Sequence, residues 1–196
     1  MMFPLCPSNK RAFSPRSSNF PMKLPIFKYN AEVLRKRALP VDEITPEIVQ
    51  FVKDMIETMI ESNGVGLAAP QVGRLLRIFV FRDERLESNG SYTLGPPEVA
   101  INPHLSKPSQ EKIAMLEGCI SLPGLHIEVV RPKEIHLRRQ NLKGEWLEEH
   151  LTEFRARVTM HENDHLNGVL TIDRMDKRER RKIEPHLLAI DKKYNS

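Results

Sequence analysis

Residues 153–168 read EFRARVTMHENDHLNG, a segment with the period of a helix and a helical stop at its end. Thr152 is the expected N-cap and Asn167-Gly168 the expected terminus. Phe154, Val158, His161 and His165 recur at i, i+4, i+7 and i+11, so they share one face. Residues four apart stack on adjacent turns. Two imidazoles at His161 and His165 can therefore hold one cation, and Glu162 between them can reach a water on it. The plainer alternative is two histidines on a half-buried face.

A catalytic site of this type usually has three protein ligands and one open position. One metalloprotease class supplies the third as His-Glu-x-x-His-x-x-Gly-x-x-His. Gly168 fits that pattern, but Thr171 stands where the last histidine belongs, which disfavours the class. His186 and Glu184 lie downstream only beyond a break. Cys119, in Glu117-Gly118-Cys119-Ile120-Ser121-Leu122-Pro123, is the attractive third ligand, although an isolated cysteine also reads as a small core residue. A third segment, Gly64-Val65-Gly66-Leu67-Ala68-Ala69-Pro70-Gln71, lacks the lysine and hydroxyl ending of a phosphate loop. Its glycines permit a substrate backbone to come close, and Gln71 offers an amide donor to a developing oxyanion.

Around these segments the chain reads as α+β. Thr45 and Pro46 open a helix near 46–62, whose stripe Ile48, Val52, Met55 and Met59 is core packing and which Asn63-Gly64 ends. Leu76–Phe81 reads as a buried strand, and Val99–Ile101, Ile127–Val130, Ile135–Leu137 and Trp146–Leu147 as further short strands. Residues 87–97, with Asn89-Gly90, Gly95 and Pro96-Pro97, read as a loop. A charged helix near 176–193 closes the chain. Residues 1–21 hold four prolines and no acid, and are expected to be a disordered tail or an extension upstream of the true start; the prolines speak against a targeting helix. The folded unit is then 22–196.

With 40 % hydrophobic and 29 % charged residues, the composition is that of a globular chain and excludes a fibrous or disordered one. No run approaches the ~20 apolar residues of a membrane span. Two cysteines make no disulfide framework, which favours a reducing, cytoplasmic compartment. The net charge of +4 sits at the ends: residues 1–21 and 173–196 each carry +3, leaving −2 between them. That distribution is not that of a DNA binder.

Taken together the three segments resemble, in the same order, the signature motifs of the peptide deformylase family: Gly-x-Gly-Leu-Ala-Ala-x-Gln, Glu-Gly-Cys-x-Ser and a His-Glu-x-x-Asp-His-type helix motif. The first two match in full, and the third at His161, Glu162, Asp164 and His165; the likeness runs over about 22–172. The resemblance implies small mixed or antiparallel sheets packed around a central metal-binding helix, with a C-terminal helix. It implies hydrolysis of the formyl group from the N-terminal formyl-methionine of nascent polypeptides, with release of formate. Cys119, His161 and His165 would bind one Fe²⁺, with Zn²⁺, Ni²⁺ or Co²⁺ as substitutes. Glu162 would be the catalytic carboxylate, and Gln71 and the Ile120 N–H would stabilise the oxyanion. Val65, Gly66 and Gly118 would pair with the substrate backbone. Phe154 and Val158 would either wall the methionine pocket or be plain core. Met160 and Asn163 depart from the family pattern, where glutamine and an apolar residue are usual. The basic run RMDKRERRK at 174–182 would be either a solvated helix face or a dock for ribosomal RNA.

Overall fold

The computed structural model describes residues 22–87 and 90–195. The segment 1–21, and with it the expectation of a tail, lies outside the described residues, as does Asn89.

Helix α1 spans Pro46–Glu61. The Thr45 hydroxyl accepts from the Ile48 N–H at 3.4 Å, and Pro46 occupies the first turn, where its missing N–H costs nothing. Its stripe Phe51, Val52, Met55 and Met59 is buried. Each such side chain contributes roughly 1.5–3 kcal/mol on burial.

The main sheet has five strands in the order β1-β2-β5-β8-β9, where β1 is Gly66–Ala68, β2 Ile78–Phe81, β5 Glu98–Ser106, β8 Glu134–Gln140 and β9 Trp146–Thr152. Its ladders are all antiparallel. Strand β2 is buried on both faces, which explains its unbroken apolar run. Ile78 and Val80 pack towards α1, and Phe79 and Phe81 pack towards the second helix, α2, at Glu153–Leu166. Strands β3 (Glu84–Leu86) and β4 (Tyr92–Leu94) pair as a small hairpin, so the segment expected to be a loop contains one of its arms. Strands β6 (Lys112–Gly118) and β7 (His126–Pro132) form a separate antiparallel pair. Ile127 and Val129 of β7 pack with Leu170 and Ile172, and with Leu187 and Ile190 of helix α3 (Lys177–Tyr194).

Helix α2 touches β1 and β2 of the main sheet and also β7, so it lies between the sheets. Ten of its 14 residues are buried, among them Arg157, Thr159, His161, Glu162, Asp164 and His165. A polar helix in that position must find partners for its charges, because an unpaired buried charge costs several kcal/mol. The expected cap at Thr152 is not made: β9 runs directly into α2, and the Glu153 N–H instead donates to the Lys133 carbonyl at 2.9 Å. The expected stop is made, with Asn167 as C-cap and Gly168 at φ +73°.

Candidate metal centre

One turn of α2 separates His161 from His165, and their rings meet edge to face with centroids 5.1 Å apart. Cys119 follows β6 directly and brings its Sγ to 3.3 Å from His165 Nε2. The ligand atoms of Cys119, His161 and His165 all lie within 4.8 Å of one another. Among the described residues this is the one such gathering of histidine, cysteine and acidic side chains. His186 is elsewhere, with its Nε2 3.2 Å from the Pro123 carbonyl, so it does not complete a zinc-peptidase triad. A closed structural site would need four ligands, and three gather here.

The electrostatics suit a cation at the centre. Burial opposes charge on Cys119, but the two imidazoles outweigh it and hold the thiol well below its ordinary range. Burial likewise opposes charge on His161, but Cys119 and Glu117 outweigh it and hold the imidazole well above its ordinary range. The site thus favours a thiolate beside positive charge, which a divalent ion supplies.

Glu117 is the residue that orients His161. Its Oε2 lies 2.9 Å from His161 Nδ1, which turns Nε2 toward the cluster. Arg131 donates twice to Glu117, at 2.7 and 2.9 Å, and Arg157 donates once at 2.6 Å. Burial alone would raise the Glu117 carboxyl, but His161 and Arg131 bring it down to about 2. Arg131 also donates to Asp164 at 2.9 Å, and Asp164 accepts from Arg174 Nε at 3.0 Å. These bonds serve Arg157, His161 and Asp164 of the buried polar α2, while Thr159 Oγ1, Glu162 Oε2 and His165 Nδ1 have no hydrogen-bond partner.

Glu162 is 4 % exposed, and its Oε2 has no hydrogen-bond partner. Burial raises its pKa to about 7 against the pull of His161 and His165. Gly66 is the reason it fits: a Cβ there would lie 2.3 Å from Glu162 Oε1. At Gly64 a Cβ would lie 2.6 Å from Ile120 Cδ1. Both glycines therefore make room for neighbouring side chains of the chain itself, where the sequence suggested room for substrate. The Gln71 Oε1 accepts from the Ala68 N–H at 2.8 Å. That fixes the amide so that Nε2 donates to Ser121 Oγ at 3.2 Å and lies 3.7 Å from Cys119 Sγ.

A cleft of about 360 Å³ opens over these groups. Val65, Gly66, Gln71, Gly118, Cys119, Ile120, Phe154, Val158, His161 and Glu162 all line it, so ten of the eleven residues singled out from sequence meet there. The eleventh, His165, sits behind Cys119 and is 1 % exposed. Phe154 and Val158 line the cleft and also pack with Phe79 and Phe81.

A family profile described as polypeptide deformylase matches residues 23–181. The chain belongs to the polypeptide deformylase family. A peptide deformylase from Chlorobium phaeobacteroides is 48 % identical over 174 residues, which is 86 % of this chain and 89 % of that one. A plant peptide deformylase crystal structure matches with a TM-score of 0.80 at 34 % identity, covering 90 % of this chain and 94 % of that one. A class I type b peptide deformylase from Acinetobacter baumannii, solved with Met-Ala-Ser bound, matches with a TM-score of 0.73 at 32 % identity; 80 % of this chain and all of that one are covered. The activity of the family is metal-dependent hydrolysis of the N-terminal formyl group, and the chain is a hydrolase of that kind.

For a polypeptide deformylase the notable additions to the residues read from sequence are Glu117, Arg131 and Arg157. Glu117 stood in plain view beside Gly118-Cys119, but its partners come from β7 and α2, which only the fold brings near. The two departures sit behind the centre. Met160 packs with Ile135, Leu137 and Leu151 of β8 and β9, and Asn163 Oδ1 accepts from Arg77 at 3.2 Å. Neither touches the ligand atoms. Among the described residues no helix is long and apolar enough to cross a membrane.

Proposed function

We propose that Cys119, His161 and His165 hold one Fe²⁺, that Glu162 moves the proton, and that the substrate is an N-formylmethionyl nascent polypeptide. The observation that carries this reading is the Glu162 carboxylate, buried and with one oxygen unpartnered beside three converging donors. A carboxylate kept near neutrality in such a place is suited to take and return a proton.

When bound, the cation supplies Lewis acidity and lowers the pKa of water at the site. Glu162 accepts the proton of the attacking water and later delivers it to the leaving nitrogen, so formate and a free methionyl amine result. Gln71 Nε2 and the Ile120 N–H donate to the oxygen on which charge develops. Val65, Gly66 and Gly118 offer backbone groups to the peptide, while Phe154 and Val158 wall the space for the methionine side chain. The Met-Ala-Ser peptide bound to the Acinetobacter relative supports a substrate of this class.

The choice of Fe²⁺ follows the family resemblance. The thiolate and two imidazoles accept Zn²⁺, Ni²⁺ or Co²⁺ as well, and zinc outcompetes ferrous iron for most such sites. We further infer a cytoplasmic enzyme that docks on ribosomal RNA through α3, where Lys177, Arg178, Arg181 and Lys182 are mostly exposed. Leu187 and Ile190 anchor that helix, while Leu188 faces outward at 60 % exposure.

The test is reconstitution. Metal-free protein loaded with Fe²⁺ under anaerobic conditions should release formate from a formyl-methionyl peptide faster than the zinc form does. No formate from any metal form would overturn the reading.

A further inference from the structure

Three consecutive residues near the start of the described chain bond to the two segments that carry the proposed oxyanion donors. The Phe27 N–H donates to the Gln71 carbonyl at 2.8 Å. Lys28 Nζ donates to the Ile120 carbonyl at 2.9 Å. The Tyr29 N–H donates to the Ser121 carbonyl at 2.9 Å. One short strap thus touches the Gln71 segment and the Ile120 segment at once.

We propose that Lys28 is a positioning residue for the oxyanion hole, holding the Ile120 peptide at a fixed distance from Gln71 through the strap Phe27–Tyr29. This rests on the reading of Gln71 and Ile120 as the oxyanion donors.

A trans peptide points its C=O and N–H in opposite directions, so holding one aims the other. The Cys119 carbonyl is held by the Leu122 N–H at 2.9 Å, which aims the Ile120 N–H of the same peptide plane. The next plane is held by Lys28 at the Ile120 carbonyl, and the plane after it by Tyr29 at Ser121. Without Lys28 the Ile120 carbonyl loses this side-chain anchor, and the Cys119–Ile120 plane can rock about the turn. The strap has its own footing. Asn195 Nδ2 donates to the Tyr29 carbonyl, and Asn30 Nδ2 donates to Asp191 at 3.0 Å, so the end of α3 braces it. Phe27 packs over Gly73, where a Cβ would lie 2.7 Å from the ring. Lys28 itself is half-buried, with its ammonium 5.8 Å from the centroid of the Tyr194 ring. Replacing Lys28 therefore removes one bond to the site and leaves the backbone bonds of the strap in place.

The experiment compares wild type, Lys28→Met, Lys28→Arg and Gln71→Ala, all zinc-loaded, on a formyl-methionyl peptide. Metal content, melting temperature and the backbone order parameter of Ile120 are measured alongside. A misplaced donor costs activity out of proportion to its displacement. Lys28→Met should lower kcat about tenfold with KM little changed, one metal per chain, an unchanged melting temperature and a lower order parameter at Ile120. Lys28→Arg should recover most of the lost kcat. Wild-type kcat in Lys28→Met alongside a large loss in Gln71→Ala overturns the proposal alone. Wild-type kcat in Gln71→Ala overturns the oxyanion reading and the proposal with it. A kcat loss in Lys28→Met that tracks lost metal assigns Lys28 to the Cys119 ligand and also overturns it.

Discussion

Replacing Glu117 by glutamine tests the electrostatic frame behind the metal centre. The side chain keeps its shape but loses its charge and one acceptor oxygen. In the wild type the two oxygens of Glu117 accept four bonds, from Arg131 twice, Arg157 once and His161 once. In Glu117→Gln an NH₂ group must face at least one of these donors. Breaking a buried pair by removing one charge costs about 3–5 kcal/mol. Here the lower end applies. Arg131 keeps Asp164 at 2.9 Å, and Arg157 keeps the carbonyls of Val129 and Ile113 at 2.9 and 2.6 Å. At 2–4 °C per kcal/mol for a chain of this size, a loss of about 3 kcal/mol lowers the melting temperature by roughly 6–12 °C. The loss of the bond to His161 Nδ1 should also weaken metal affinity about 10–100-fold. Thermal denaturation of the metal-loaded protein and competition with a chelator measure the two effects. A Glu117→Gln protein with unchanged melting temperature and unchanged affinity would mean that neither the guanidiniums nor His161 depends on this carboxylate.

Further expectations concern other parts of the molecule. Gly66→Ala places a methyl against Glu162 Oε1, so kcat should fall on the order of 100-fold while metal content stays near one per chain; wild-type kcat would show that Glu162 has room to spare. At Glu98 burial alone would raise the carboxyl, but Arg155 and Arg139 outweigh it and hold it below its ordinary 4.5. A depressed carboxyl stabilises the fold above its unfolded pKa and loses that contribution as pH falls through the folded value. The stability gap between wild type and Glu98→Gln should therefore be constant above about pH 5 and shrink below it. A denaturant series across pH 2.5–7 would show a pH-independent gap if the pairing were idle. Replacing Arg178, Arg180 and Arg181 with glutamine should leave turnover of a short peptide intact, lower ribosome co-sedimentation and flatten its salt dependence; equal binding at every salt concentration would leave α3 as a solvated face.

The sequence declared α2 and its stop, α1 with its cap, and the three segments that meet in the cleft. These are local signals: a 3.6-residue period, a capping threonine, a glycine after a helix. What it did not declare is non-local. The bonds from Glu117 to Arg131 and Arg157 join β6 to β7 and to α2, and no spacing along the chain encodes them. Strand β6 is not legible in the sequence because Ile113-Ala114-Met115-Leu116 does not alternate; Leu116 is 68 % exposed on a strand where an apolar run suggests burial. The hairpin arm Tyr92–Leu94 was hidden among Gly and Pro residues that read as a loop. Thr152 is a good cap by type, but it is the last residue of β9, and the turn into α2 there has Glu153 at φ +49°. The glycines at 64 and 66 were recognised as space, but the occupants of that space, Ile120 and Glu162, come from segments distant in sequence.

The role proposed for Glu162 is to handle the proton and not to hold the metal. The measurement is metal stoichiometry together with kcat for Glu162→Gln, purified and reconstituted in parallel with wild type. About one metal ion per chain is expected in both proteins, with a kcat in the variant lower by about 10²–10⁴. Wild-type turnover in Glu162→Gln, or loss of the metal on that substitution, would contradict it.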